Sequence, residues 1–570
     1  MEAIILTVIL TAAFLLISTV KSDACTGLYV GKKVSATGST IVARSEDQSN
    51  GAYNKMFKVR PAKKEAGRTY VDTGDGQNNF AVKLPEETYK YTYIPDASDA
   101  GDGEYPACSM NEYGLTVVAT VTADAKPEYL ELDPYVTPGI REAILAGLIA
   151  GQCKTAREAV ETTGKLLDEY GSGEGNILFF TDQKEAWVFE IYGGHGYAAM
   201  KMPEDKVAVF GNNFMIETVD REDTENYFFS KDLFATIDKL GAYMEGGKYS
   251  LVKSISAIPR EEYSNMRTWI GHKILAPSTV GEYSNDIFYP FFYAPDKKVD
   301  VETVMDIYRN RYEGTPYDMM QPENRGRRPI GVTRQGEVHI VETYDDLPAD
   351  SCQLQWLALG NAEHSVFIPA FGGITETIAP YHVDGSRYSK DSMYYAVQRI
   401  GGIAEADRKF LSQGAKDFWK IQEKLMIRDM HAALPEVKKA YEKGTKEGRA
   451  FVTELAAECA EKQFNNSEIL FNDLFWTATA NHDDRADEGK KTYFTAKAPV
   501  TEWVKANGYE MTENNGAYTL KKDNRKYTIK PGEKNCAMVK DGETAEIAFA
   551  VAPEVIDGEL YAPADFLLSL

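Results

Sequence analysis

The sequence predicts a layered α+β fold on three observations: strand-and-turn texture from Cys25 to about residue 135, helical texture over 138–170, and strand texture again from Asn176. Strands, then helices, then strands produce apolar faces that are buried by stacking in layers. The first strands are the apolar, β-branched runs in Thr26-Gly27-Leu28-Tyr29-Val30 and Thr40-Ile41-Val42-Ala43, on either side of a turn at Thr37-Gly38. In the helical stretch, Thr155-Ala156-Arg157-Glu158 forms a capping box ahead of the apolar positions Ala159, Val160, Leu166 and Leu167.

Further strands are predicted over 176–180, 186–191, 207–210, 337–343, 354–359 and 365–368, each an alternating or clustered apolar run bounded by turn residues. From about Gly401 to Leu474 the texture becomes charged and helix-favouring, most densely over 432–453. A separate small β-rich module begins after Asp487-Glu488-Gly489-Lys490-Lys491. Its clearest signal is Asn515-Gly516, a hairpin turn between 509–512 and 517–520, followed by strand runs at 527–529, 538–540, 545–551 and 559–563. The predicted units are therefore a leader over 1–24, a main domain over 25–400, a helical completion over 401–487 and a C-terminal domain over 488–570.

At 570 residues, with 43% hydrophobic, 11% aromatic and 26% charged residues, the chain can build a large core. That composition excludes a wholly disordered chain, a collagen-like fibre and a multi-pass membrane protein. Lys and Arg number 63 against 86 Asp and Glu, a net charge of −23, which repels phosphate backbones and anionic membranes. No nucleic-acid partner is expected. Six cysteines, at 25, 108, 153, 352, 459 and 536, form no CxxC pair; zinc ribbons and a disulfide scaffold are disfavoured, with one or two disulfides left open.

Residues 3–17 are almost wholly apolar and are followed by Ser18, Thr19, Lys21, Ser22 and Asp23. The run is short for a bilayer span and has the length of a signal-peptide core, although the stretch before it carries Glu2 and no Lys or Arg. Ser22 and Ala24 are the small residues a signal peptidase requires, so cleavage before Cys25 is expected and the protein is placed outside the cell or at its surface. Three readings compete for Cys25: a buried or disulfide-bonded cysteine, a lipid-bearing cysteine of a non-catalytic surface protein, and an N-terminal nucleophile. Against lipidation, Ser22 and Asp23 stand where Leu and a small uncharged residue are favoured.

The third reading makes chemical demands. A thiol near pKa 8.5 is mostly protonated at neutral pH and needs a base within hydrogen-bond reach. A free α-amine, titrating near 7.7–8.0, can be that base, so cleavage would create nucleophile and base on one residue. The mechanism further requires a positive group near the thiol, a carboxylate to orient the amine, and oxyanion donors. Antiparallel pairing of the first two strands would bring Arg44 and Asp47 beside Cys25.

The opening C-T-G-x-x-V-G-K, the G-S-T-I-x-A-R-x-E-D, Gly175-Asn176 before a strand, E-A-W-V-F-E-I around Trp187, Gly194-His195-Gly196-Tyr197-Ala198-Ala199 and Asn212-Asn213 together resemble the PepD-type cysteine dipeptidases, N-terminal nucleophile (Ntn) hydrolases related to penicillin V acylase and choloylglycine hydrolase. The likeness runs from Cys25 to about residue 480. It implies a four-layer αββα sandwich, no cofactor and no metal, and a small peptide substrate. It assigns nucleophile and base to Cys25, thiol electrostatics and amine binding to Arg44 and Asp47, an amine or oxyanion contact to Asn212 with Asn213 in reserve, and a second cation to Arg267. Arg267 is otherwise read as a helix-face ion pair. The remaining oxyanion donor falls after Asn111-Glu112-Tyr113-Gly114-Leu115, at Thr120, Thr122 or a main-chain N–H. His195 and His364 lack metal-ligand spacing, and His482, beside Asp483 and Asp484, could suggest a metal site but reads as a solvated loop histidine.

Residues 488–570 resemble the stalk domain at copper amine oxidase N-termini, which implies an accessory module that could associate with cell wall, without copper chemistry. A homo-oligomer is expected. The leading function is a secreted dipeptidase; the alternatives are an Ntn amidase acting on penicillin V or bile-salt amides, and the lipid-anchored surface protein.

Overall fold

The computed structural model describes residues 25–48, 54–74, 78–101, 103–256, 260–483 and 488–570; the expected leader over 1–24 lies outside them. Along the chain run β1 (Thr26–Val30), β2 (Thr40–Asp47), β3 (Lys58–Arg60), β4 (Tyr91–Tyr93), β5 (Cys108–Asn111), β6 (Thr116–Thr122), α1 (Glu142–Ala150), α2 (Ala156–Tyr170), β7 (Asn176–Thr181), β8 (Ala186–Ile191), β9 (Tyr197–Lys201), β10 (Val207–Phe210), β11 (Tyr227–Phe229), α3 (Glu262–Leu275), α4 (Val301–Arg309), β12 (Gln335–Thr343), β13 (Gln353–Leu359), β14 (Ile368–Phe371), α5 (Met393–Ala406), α6 (Arg408–Lys443) and α7 (Thr445–Asp483). Six strands form one antiparallel sheet in the order β10-β1-β2-β12-β13-β14. Eight form a second, β11-β9-β8-β7-β6-β5-β4-β3.

The two sheets face each other and each is covered by helices, giving the expected four layers. β7 shows why its sequence reads as an unbroken apolar run: Ile177 and Phe179 enter the core between the sheets, while Leu178 and Phe180 enter the second core beneath α1 and α2. With a side-chain period of two, both faces are buried and no polar alternation is left to see. Phe179 meets Phe210 of the other sheet edge-to-face, with ring centroids 5.8 Å apart. On the far side, α3 packs on β10, α4 on β12, and α5, α6 and α7 on β13 and β14.

The capping box forms at α2, one residue out of the usual pairing. Thr155 Oγ1 accepts from the Glu158 N–H at 3.1 Å, and the Glu158 carboxylate accepts from the main-chain N–H of Lys154, not of Thr155, at 2.7 Å.

Two boundaries move from their expected places. The strand expected over 365–368 is displaced to Ile368–Phe371, because α4 and α6 capture the main chain before it: Arg309 Nη2 donates to the Ser365 carbonyl, and Glu423 accepts from the Phe367 N–H at 2.8 Å. Helical structure begins at Met393 rather than near 401 and runs to Asp483. All six cysteines are free thiols, so the disulfides left open by the sequence do not form.

Beyond residue 488 lie β15 (Lys497–Pro499), α8 (Val500–Ala506), a five-stranded meander of β16 (Glu510–Asn514), β17 (Ala517–Lys522), β18 (Arg525–Ile529), β19 (Asn535–Lys540) and β20 (Glu543–Ala548), then β21 (Glu554–Ile556), β22 (Glu559–Pro563) and α9 (Ala564–Ser569). Asn515 and Gly516 adopt φ of 52° and 76°, the paired positive angles that a two-residue hairpin turn requires. This unit docks on α6, where the Phe494 N–H donates to the Phe410 carbonyl at 2.7 Å.

Candidate active site

Cys25 immediately precedes β1, the second strand of the six-stranded sheet, flanked by β10 and β2. β1 pairs with β2 in a register that sets Gly27 opposite Arg44, so Arg44 reaches back past the glycine toward the cysteine. A side chain at Gly27 would be impossible: its Cβ would lie 2.5 Å from both Phe210 and Thr120. The space a side chain would need is taken by Phe210 and Thr120, and the Arg44 side chain is fully buried nearby.

Arg44 Nη2 lies 3.2 Å from Cys25 Sγ and 2.9 Å from Glu142 Oε1. Its Nη1 reaches Glu46 at 3.3 Å and its Nε donates to the Thr120 carbonyl at 3.1 Å. Burial opposes the Arg44 charge, but Cys25, Glu142 and Glu46 outweigh it and hold the pKa well above the usual arginine value. Glu46 is balanced in turn by Lys55, 2.7 Å away. Glu142, at the first turn of α1, also accepts from Thr122 Oγ1 at 3.0 Å and Asn176 Nδ2 at 2.9 Å.

A second arginine clamps the main chain on the other side. Arg267 Nη1 donates to the Cys25 carbonyl at 2.5 Å and to Thr26 Oγ1 at 3.1 Å, while Nη2 donates to Asn212 Oδ1 at 2.8 Å. It lies so close to Gly211 that a Cβ there would sit 2.7 Å from Nη2. The helix-face ion pair is therefore not what Arg267 makes: it is fully buried and bonded to neutral oxygens. Burial, then the nearby Arg328 cation, push its pKa down to about 10 against the pull of Asp47. Tyr308 adds a donor to the Thr26 carbonyl at 3.2 Å.

Asp47 hydrogen-bonds the Cys25 sulfur through its main chain, and its carboxylate Oδ2 pairs with Arg328 Nη2 at 2.5 Å. Its other oxygen, Oδ1, is buried and accepts no hydrogen bond. Asn212 donates through Nδ2 to the Thr122 carbonyl at 2.8 Å. The five residues singled out by the sequence, Cys25, Arg44, Asp47, Asn212 and Arg267, thus meet at one point. The side chain of Asn213 is not tied to Arg267.

The two threonines behave otherwise than an oxyanion donor should. Thr120 Oγ1 donates to the Val118 carbonyl at 3.3 Å and Thr122 Oγ1 to Glu142, so both hydroxyl protons are committed. Main-chain N–H groups and the second Nδ2 hydrogen of Asn212 are better suited. Glu142, Tyr308 and Arg328 were not foreseen. Glu142 has one signal, an acid at the head of the apolar run 142–150, which ordinarily means a favourable helix dipole contact and nothing more.

The Cys25 thiol is 2% exposed. Burial, reinforced by Glu142 and Asp47 and opposed by Arg44, pushes its pKa up to about 12 in this chain, in which other residues precede it. Such a thiol is protonated and a poor nucleophile at neutral pH.

A separate group, Glu363, His364 and Glu405, brings three potential ligand atoms within 4.8 Å of one another. Its carboxylates are already claimed by cations: Arg311 Nε reaches Glu363 at 2.6 Å, and Arg311 Nη2 and Arg408 Nη1 reach Glu405 at 2.5 and 3.0 Å. Burial disfavours the Glu363 charge, but Arg311 and Arg408 bring its pKa down to about 2, and His364 Nε2 is taken by Ser412 at 2.8 Å. This is an ion-pair network.

A buried cysteine held between an arginine and an aspartate at the head of an interior strand, in a four-layer fold, describes a cysteine hydrolase. The comparison with known sequences narrows the class: residues 24–421 match the model of peptidase family C69, and the chain belongs to that family of peptidases. It is 33% identical over 465 residues to probable dipeptidase B of Streptococcus pyogenes serotype M1, covering 79% of this chain and 92% of that one. It is 30% identical over 479 residues to probable dipeptidase B of Lactococcus lactis subsp. lactis strain IL1403, covering 82% and 98%. Conjugated bile acid hydrolase of Clostridium perfringens is a weak structural match, with a TM-score of 0.24 at 10% identity over 59% of this chain and 89% of that one, and adds no support to the assignment.

Proposed function

We propose that this peptidase is a secreted dipeptidase whose nucleophile is Cys25, exposed as the first residue by removal of 1–24. The observation that carries the reading is the position of Cys25, with the Arg44 guanidinium on its sulfur and Arg267 on its carbonyl. The family match begins one residue before it. Export is supported by the apolar run over 3–17 and the small residues Ser22 and Ala24.

The freed α-amine of Cys25 takes the thiol proton, and Arg44 stabilises the thiolate. The sulfur adds to the peptide carbonyl carbon, and the resulting oxyanion is met by Asn212 Nδ2 and main-chain N–H groups. Collapse breaks the C–N bond as the ammonium of Cys25 returns the proton to the leaving nitrogen, leaving a thioester. Water, deprotonated by the same amine, adds to the thioester; the second collapse expels the sulfur, which regains its proton, and releases the acid product. While the upstream peptide is attached, the nitrogen of Cys25 is an amide without basicity, so the thiol has no base on its own residue.

The test is turnover of a small dipeptide panel beside a phenoxyacetyl amide and a conjugated bile salt, in the wild-type protein and in Cys25→Ser. Dipeptide turnover that falls by at least ~10³-fold in the variant supports the reading. Turnover of the bile salt or phenoxyacetyl amide alone, or a fully active variant, overturns it.

A further inference from the structure

The geometry points to a subsite for the α-ammonium group of the substrate, built from Glu142, Glu174 and Asn176 beside the nucleophile. This rests on the dipeptidase reading and deepens it: the enzyme would cleave the bond next to a free amino terminus because that terminus is bound as a cation.

Three observations converge. The first is distance. Glu142 Oε1 is 2.9 Å from Arg44 Nη2, which is 3.2 Å from Cys25 Sγ. The carboxylate and the sulfur are therefore separated by at most about 6 Å. In an α-amino acyl group the nitrogen lies two bonds from the carbonyl carbon, roughly 2.5 Å away. A substrate whose carbonyl is under attack by Cys25 must carry its ammonium group to within a few ångströms of the sulfur, the neighbourhood that also holds Glu142.

The second is an unanswered acceptor. Asn176 is 1% exposed and its Nδ2 donates to Glu142 Oε2 at 2.9 Å. A carboxylate accepts only from a donor, so the amide orientation is fixed, and Asn176 Oδ1 is left buried without a hydrogen-bond partner. A buried acceptor without a donor costs free energy that a bound N–H would recover.

The third is surplus negative charge. Glu174, a partly buried residue, accepts from the Glu142 N–H at 2.7 Å through one carboxylate oxygen. The Arg141 side chain is engaged by Asp72 at 2.7 and 2.9 Å, so its charge is shared with a third carboxylate. Burial, then the neighbouring Glu142, push the Glu174 pKa up to about 7, against the Glu142 N–H and Arg141, with Asp72 adding to the rise. Two carboxylates and one amide oxygen present acceptors where an ammonium group brings three donors and a positive charge.

The test compares kcat/KM for L-alanyl-L-alanine with that for propionyl-L-alanine, which replaces the ammonium group by hydrogen, in wild-type protein, Glu174→Gln and Glu142→Gln. Wild type is expected to prefer the dipeptide by at least about 100-fold, and Glu174→Gln, which keeps an oxygen for the Glu142 N–H, to cut that preference about tenfold or more. Glu142→Gln is expected to cut it further, and L-alaninamide to inhibit both variants more weakly than wild type. Should Glu142→Gln fail to fold because Arg44 loses its partner, Glu174→Gln and the inhibitor still decide. Equal turnover of the two substrates by wild type, or equal losses on both in Glu174→Gln, overturns the subsite while leaving the Cys25 mechanism standing. Dipeptide turnover that survives Cys25→Ser would instead overturn the mechanism itself.

Discussion

Arg44 and Cys25 are joined by a single contact, Nη2 to Sγ at 3.2 Å, and the same nitrogen is held by Glu142. The cation that favours the thiolate is therefore itself partly neutralised by a buried carboxylate, and the two effects on the sulfur oppose each other.

That opposition is measurable in stability. Arg44→Ala leaves Glu142 and Glu46 buried near one another without their shared cation, a loss expected to cost about 3–5 kcal/mol. The double variant Arg44→Met, Glu142→Gln removes both charges of one pair and is expected to be more stable than Arg44→Ala alone. Thermal midpoints of wild type and the two variants check this; a double variant no more stable than Arg44→Ala would contradict it.

Thiol reactivity gives a second prediction. In a chain that retains residues ahead of Cys25, alkylation by iodoacetamide should rise only as pH approaches about 12. In protein beginning at Cys25 the rate should rise at lower pH, and Arg44→Ala should move it back toward alkaline values. Identical profiles for retained and removed leaders would contradict the role of processing.

The two asparagines at the end of β10 should separate cleanly. Asn212 bonds Arg267 at 2.8 Å and the Thr122 carbonyl at 2.8 Å, whereas Asn213 is tied to neither. Asn212→Ala is expected to lower kcat by about 10²–10³-fold, the scale of a lost oxyanion donor, and Asn213→Ala by less than about threefold. Steady-state kinetics on one dipeptide decides between them.

Glu190 of β8 gives the pH dependence of stability. Burial pushes its pKa up from an ordinary value of about 4.5 to about 7, although it accepts from Tyr192 Oη at 2.9 Å and from the Met215 and Ile216 N–H groups at 2.5 and 3.1 Å. Below pH 4.5 the group is protonated folded and unfolded, and contributes no slope. Between 4.5 and 7 the unfolded chain loses the proton first, so stability falls as pH rises, by at most about 3 kcal/mol. Above 7 the slope ends. Glu190→Gln should flatten this window in thermal melts; an unchanged slope would remove Glu190 as its source.

The part of the site that could be read in the sequence is the part built by neighbours. Arg44 and Asp47 lie on the strand paired with β1, so a strand-turn-strand pattern was enough to bring them to Cys25. Asn212 and Arg267 came from the family pattern, because the register that sets β10 against β1 depends on which sheet a strand joins, and local texture carries no such information. Glu142 could not be read at all: it enters from a helix covering the other sheet and looks like an ordinary first-turn acid. The Thr120 hydroxyl failed as a donor for a similar reason, since a bulge between Ala119 and Val121 turns this stretch of β6 out of simple alternation. The displaced strand at Ile368–Phe371 reflects capture of the preceding main chain by Arg309 and Glu423, both distant in sequence.

The most direct measurement is the intact mass of the active protein recovered from outside the cell, taken with its dipeptide turnover. The account predicts a chain that starts at Cys25 with sulfur and amine unmodified, and activity that appears only in that species. An active protein that starts elsewhere, or one that starts at Cys25 with a lipid on its sulfur or an acyl group on its amine, would contradict it.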